Sequence, residues 1–148
     1  MARTKFTDEE RKRGYDEVYL ARLDRNLNEM LKVIHIQTIP ANRHFLLQGI
    51  IEQTYKLRKD KTYNDLCIEF CEKHLNELPN LIEALKDEFE SLPRILVFQN
   101  YSTILTELGE YQKAIDVCEI AISLKLEDGT KGGYQGRIDK IKKKMISK

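Results

Sequence analysis

Cys67, Cys71 and His74 fall at i, i+4 and i+7, so a helix that carries them puts two thiols and an imidazole on one face. Thiolates and a neutral imidazole are zinc ligands, and a structural zinc site takes four. No fourth ligand stands nearby in the chain. Free cysteine is also among the most buried residue types, so core packing is the expected role of the three. His35, His44 and Cys118 could in principle assemble a thiol–imidazole nucleophile in space. No strained elbow and no acid at a telling spacing accompany them, and no acid–base pair emerges elsewhere. The chain is expected not to be an enzyme, and no metal or cofactor is expected.

Two further groups can bind anions. Gly129, Gly132, Gly133 and Gly136 bracket Lys131 and precede Arg137, ahead of a helical segment. Glycine-rich turns at helix starts expose N–H groups that cradle a phosphate or carboxylate. Lys131, Gly132, Gly133 and Arg137 are the candidate anion-binding residues, and a nucleotide is a ligand of the right chemistry. The spacing matches neither a P-loop nor a dinucleotide fingerprint. A flexible connection to the last helix is the plainer role. Lys140, Lys142, Lys143, Lys144 and Lys148 make a basic end that could touch nucleic acid. The same helix carries Ile138, Ile141 and Met145 on one face, which must be buried. A solvated lysine back on a capping helix is therefore expected, and nucleic acid is not the expected partner. Arg11, Lys12 and Arg13 are flanked by Asp8, Glu9, Glu10, Asp16 and Glu17, which would repel a phosphate backbone.

The elements that hold these residues read as helices throughout. Thr7 and Glu10 form a capping box. Beyond it Tyr15, Tyr19, Leu23, Leu27, Leu31 and Ile34 recur at three- and four-residue steps, which predicts one long helix from about Asp8 to His35 within the N-terminal segment 8–39. Pro40 ends it, and Asn42 can cap a second helix over 43–59. Thr62 can cap a third over 63–78. Pro79-Asn80 predicts a break before a short helix over 81–90. Pro93 suits the first turn of a fifth helix ending at Leu108 and Gly109. A sixth runs from Glu110 to about Leu126, and a last over 134–147. No window alternates long enough to predict a strand.

The chain has 148 residues, 33% of them charged, and its mean hydropathy is −0.52. That predicts one all-α domain over 1–148 with a wide solvated face. No apolar run approaches the ~20 residues that span a bilayer, and the N-terminus lacks the apolar core of a secretory signal. Three cysteines without framework spacing suit a reducing, cytoplasmic setting. Residues 1–60 carry 12 Lys/Arg against 9 Asp/Glu, residues 61–128 carry 6 against 14, and residues 129–148 carry 7 against 1. The acidic middle points to a basic partner.

Residues 95–126 read ILVFQNYSTILTELGEYQKAIDVCEIAISLKL. Phe98, Tyr101-Ser102 and Leu105 alternate bulky and small along one helix. Gly109 and Tyr111 mark a turn, and Ala114, Cys118 and Ala121 follow along the next helix. Small residues at Ser102, Ala114 and Ala121 allow two helices to approach closely while large ones fill the gaps. This stretch resembles a tetratricopeptide repeat. Residues 43–78 resemble a degenerate copy, with Cys67, Cys71 and His74 at the small and bulky positions but Thr54-Tyr55 reversed and Lys61-Thr62 replacing the turn glycine. The ending DGTKGGYQGRIDKIKKK is similar to the tail of small, uncharacterised bacterial tetratricopeptide-like proteins. Leu126 departs from the family's usual proline.

The resemblance implies antiparallel helix-pair repeats over 43–126 in a right-handed superhelix, closed by the basic cap. It further implies a scaffold whose concave surface, lined by Gln99, Thr103 and Thr106 with Asn100 at the edge, holds a peptide or a partner protein. Gln99 and Thr103 stand where some family members carry a Lys/Asn carboxylate clamp and are the wrong residue types for it. The long first helix could also pair with its copy in a homodimer, although Tyr15, Tyr19 and Met30 favour packing on its own domain.

Overall fold

The computed structural model describes residues 5–147, and among them the chain is all helical with no strand. The helices are α1 (Asp8–Lys12), α2 (Glu17–Asp24), α3 (Leu27–Lys32), α4 (Pro40–Lys56), α5 (Lys61–Glu88), α6 (Val97–Glu107), α7 (Tyr111–Ser123) and α8 (Gly133–Ile146). They gather into two compact units, Met1–Pro93 and Arg94–Lys148.

The expected long first helix is three short ones. Thr7 and Glu10 do form the reciprocal capping box of α1. Gly14 then turns the chain with φ at +90°, and a Cβ there would lie 2.5 Å from Ile39 Cδ1. Asp16 caps α2 by accepting from the Tyr19 amide at 2.9 Å. Arg25 ends α2 in the left-handed region, and Asn26 caps α3 through the Glu29 amide at 3.2 Å. Short polar side chains that bond the backbone compete with a continuous helix, and here they win at two points. α2 and α3 each pack on α4. Tyr15 and Leu23 face solvent at 46% and 55% exposure. The continuous apolar stripe needed for pairing two long helices therefore does not exist.

Pro40 starts α4 at its first position instead of only ending what precedes it, and Asn42 lies inside the helix. The Asn42 amide is buried and donates to the Gly14 carbonyl at 2.8 Å and to Thr38 Oγ1 at 3.0 Å. That ties the N-terminal helices to α4. Pro79-Asn80 does not break the chain either. α5 runs unbroken through Pro79, which is exposed, while Leu78, Leu81, Ile82 and Leu85 are buried on the other side. A mid-helix proline costs about 3 kcal/mol, and the buried apolar face on either side of it offsets this. Asp60, not Thr62, caps α5 through the Thr62 amide. Arg43 clamps α4 to α5 with a two-pronged pair to Glu77, both N–O distances 2.8 Å.

In the second unit α7 packs against both α6 and α8. Pro93 lies ahead of α6, which begins only at Val97. Gly109 closes the α6–α7 turn with φ at +80°, as its place after Leu108 predicts. Phe98, Ser102, Ala114, Cys118 and Ala121 are buried, as are Tyr101 and Leu105. α7 stops at Ser123, short of the expected Leu126, where Lys125 turns left-handed. Ala114→Leu or Ala121→Leu should overpack this core and lower stability by about 1–3 kcal/mol. Chemical denaturation checks it, and wild-type stability in both variants would refute the packing described.

Candidate binding crevice

The crevice is built from two helices that share α7 as a support. α6 presents Ser102, Thr103, Thr106 and Glu107, and α8 presents Arg137, Lys140, Ile141 and Lys144, around a space of about 220 Å³. Positions 137, 140, 141 and 144 recur at three- and four-residue steps, so one face of α8 supplies the whole wall. Ile141 on this face and Ile138 on the adjoining flank are buried and hold the helix inward, whereas Met145, expected to be buried with them, is 38% exposed. Thr103 Oγ1 donates to the Gln99 carbonyl at 2.8 Å, and Thr106 Oγ1 donates to the Ser102 carbonyl at 2.7 Å. Each hydroxyl spends its proton on its own helix and keeps acceptor lone pairs. Arg137 Nη1 lies 3.4 Å from Thr103 Oγ1.

A second crevice of about 450 Å³ adjoins the first and is lined by Asp128, Thr130, Lys131, Gly132, Gly133, Gly136, Arg137 and Lys140. Arg137 and Lys140 belong to both. Asp128 holds the corner. Its carboxylate is fully buried and accepts from Arg137 Nε at 2.6 Å. It also accepts from the Thr130 amide at 2.9 Å and the Thr130 hydroxyl at 2.6 Å. Burial works to raise its pKa, but the Thr130 and Arg137 donors outweigh it and hold it down to about 2. The ion pair fixes the Arg137 guanidinium between the two crevices.

Of the residues expected to hold a partner, Thr103 and Thr106 line the first crevice. Gln99 and Asn100 are half-buried on the same helix, outside its lining, and Gln99 contributes its carbonyl to the Ser102 and Thr103 hydroxyls. The four residues expected to bind an anion, Lys131, Gly132, Gly133 and Arg137, all line the second. Sequence reading kept these two groups apart, and the fold makes them neighbours through Arg137. It also missed Lys140 and Lys144, which read as a solvated back. Their three- and seven-residue steps from Arg137 were the available signal.

Of the other candidates, all but His35 lie in the core. Cys67, Cys71 and His74 are buried. The hydrogen bond with Cys67, together with burial, pushes the Cys71 thiol well above its ordinary value, the opposite of what a metal ligand needs. No group of three or more His, Cys, Asp or Glu among the described residues could hold a metal ion. His35 is exposed, and His44 is buried against His74. Burial raises the Cys118 thiol, which makes it a poor nucleophile. No helix among the described residues is long and apolar enough to cross a membrane. No protein-family model, curated protein or solved structure matches the chain.

Proposed function

We propose that this chain is a non-enzymatic interaction module of the tetratricopeptide type, and that the α6–α8 crevice holds a short acidic segment of a partner protein. The observation that carries the reading is the alignment of Arg137, Lys140 and Lys144 opposite the Thr103 and Thr106 hydroxyls, with Ile141 between them. Carboxylates of the guest would meet the cations, its amides would meet the hydroxyls, and an aliphatic side chain would rest on Ile141. The tetratricopeptide assignment is supported by the glycine-turned α6–α7 pair and its buried Ala114 and Ala121. The crevice is cationic although the middle of the chain is acidic. Of the exposed acids of that middle, Glu107 lines the crevice beside its three cations, whereas Asp65, Glu69, Glu72 and Glu83 lie on α5 and do not line it. Charge complementarity therefore favours an acidic guest.

Fluorescence anisotropy with labelled peptides of alternating Glu and Leu, and of alternating Lys and Leu, tests this. The acidic peptide should bind and weaken as salt rises. Lys140→Glu with Lys144→Glu should weaken it by about tenfold or more, since each lost charge contact is replaced by a repulsive one. Equal binding of both peptides, or an unchanged variant, would refute the reading.

A second reading rests on the adjoining crevice. Glycines 132, 133 and 136 bring backbone close to Lys131, Arg137 and Lys140 in one space, which suits a phosphate-bearing small molecule such as a nucleotide. A panel of nucleotides and oligophosphates that leaves the melting temperature unchanged would remove it.

A further inference from the structure

All three histidines of the chain lie in the first unit, and two of them meet in its interior. His44 of α4 and His74 of α5 are fully buried, with His44 Nδ1 and His74 Nε2 3.0 Å apart. The other ring nitrogen of His74, Nδ1, is also buried and meets no hydrogen-bond partner. A proton there would be a buried donor with nothing to accept it. The outer nitrogen of His44, Nε2, is buried in the same way, so either ring can donate the single proton that the two facing nitrogens share. The pair is one neutral N–H···N bond joining α4 to α5.

The charged or titratable groups that act most on His74 are His44 and Arg43, and neither would balance a second proton on it. On α4, Arg43 is itself a cation, and it already holds Glu77, the carboxylate one turn beyond His74 on α5. Cys71, one turn before His74, is a buried thiol. From α2, the Arg22 guanidinium lies 5.0 Å from the centre of the Phe45 ring, and that ring stands edge-on to His44. From α3, Glu29 and Lys32 pair with each other at the surface. Burial first, then His44 and Arg43, bring the His74 pKa down to about 3.

We propose that the His44–His74 pair is an acid-released latch. While neutral it ties α4 to α5. Acidification opens this helix pair, whereas the Arg94–Lys148 unit, which has no histidine, keeps its protection. The sign follows from linkage. An opened His74 takes a proton near 6.5, and the closed one only near 3. The open form binds more protons across that window, so closure weakens as pH falls through it. From about pH 7 to about pH 5 the opening constant should rise ~20-fold. Carboxylates in general titrate below that range, which isolates the imidazole contribution.

Hydrogen exchange of the full chain, read by mass spectrometry at about pH 7 and about pH 5 and corrected for intrinsic rates, tests the latch. Peptides from residues 40–88 should open ~20-fold more readily at the lower pH, and those from 97–146 should change by less than about twofold. His74→Gln can still donate to His44 but cannot take the proton, and its response to pH should shrink several-fold. The ring nitrogens of His74, followed by NMR in the wild-type chain, give a second measurement should that variant not fold. They should show the ring neutral at about pH 5. A His74 ring that titrates near its ordinary value in the folded chain, or equal protection of 40–88 at both pH values, would overturn the latch.

Discussion

Phe98→Ala should lower the stability of the Arg94–Lys148 unit by about 3–5 kcal/mol, the usual cost of emptying a buried aromatic site. The ring is fully buried. It meets Tyr134 of α8 edge to face, with centroids 6.3 Å apart and planes at 77°. One side chain thus helps join α6 to α8, the two walls of the crevice. A unit this small buries a modest share of its surface and holds little stability in reserve. Urea denaturation followed by exchange within 97–146 measures the loss. A change below about 1 kcal/mol would mean that α6 and α8 are held together by other contacts.

Asp128→Asn should cost about 2–4 kcal/mol, because it leaves the Arg137 guanidinium beside a neutral amide in a place shaped for a carboxylate. The Asp128 side chain is fully buried, and that of Arg137 is 28% exposed, so solvent compensates little. The same pair predicts a pH dependence. The folded-state pKa of Asp128 is about 2, below its ordinary 3.8. A depressed carboxylate pKa stabilises the fold above the ordinary value, and that contribution of about 2 kcal/mol is lost as pH falls through about 2. Denaturation midpoints of wild type and variant should therefore converge between about pH 4 and about pH 2. Parallel curves across that range would show that Asp128 is not the anchor of Arg137. Loss of acidic-peptide binding in this variant, beyond its loss of stability, would follow from a guanidinium no longer held at the crevice.

Much of the second unit was legible because local signals and tertiary packing agree there. Gly109 stands where a left-handed turn is needed, and the small residues Ser102, Ala114 and Ala121 are buried as their spacing implies. The first unit was less legible because the two kinds of signal disagree. The apolar steps from Tyr15 to Ile34 suit one helix, yet Gly14, Asp16 and Asn26 offer competing backbone bonds that packing against α4 makes profitable. Pro79 is a helix breaker by local rules, yet the buried Leu78, Leu81 and Ile82 carry α5 through it. Of the crevice, Thr103, Thr106, Lys131 and Arg137 were named as binding residues from the chain alone, while Lys140 and Lys144 were read as part of a solvated lysine back. A lysine's partner surface depends on which way its helix lies, and spacing along one helix does not contain that.

By itself the amino-acid order determined that the chain is helical, that α6 and α7 meet through small side chains, and that cations gather near its end. Helical periodicity and side-chain size act over a few residues, so they can be read along the chain. Only the tertiary structure decided that α8 turns Arg137, Lys140 and Lys144 toward Thr103 and Thr106, and that His44 meets His74 in the interior. Those contacts join residues 30 or 34 positions apart, and their geometry comes from the packing of whole helices.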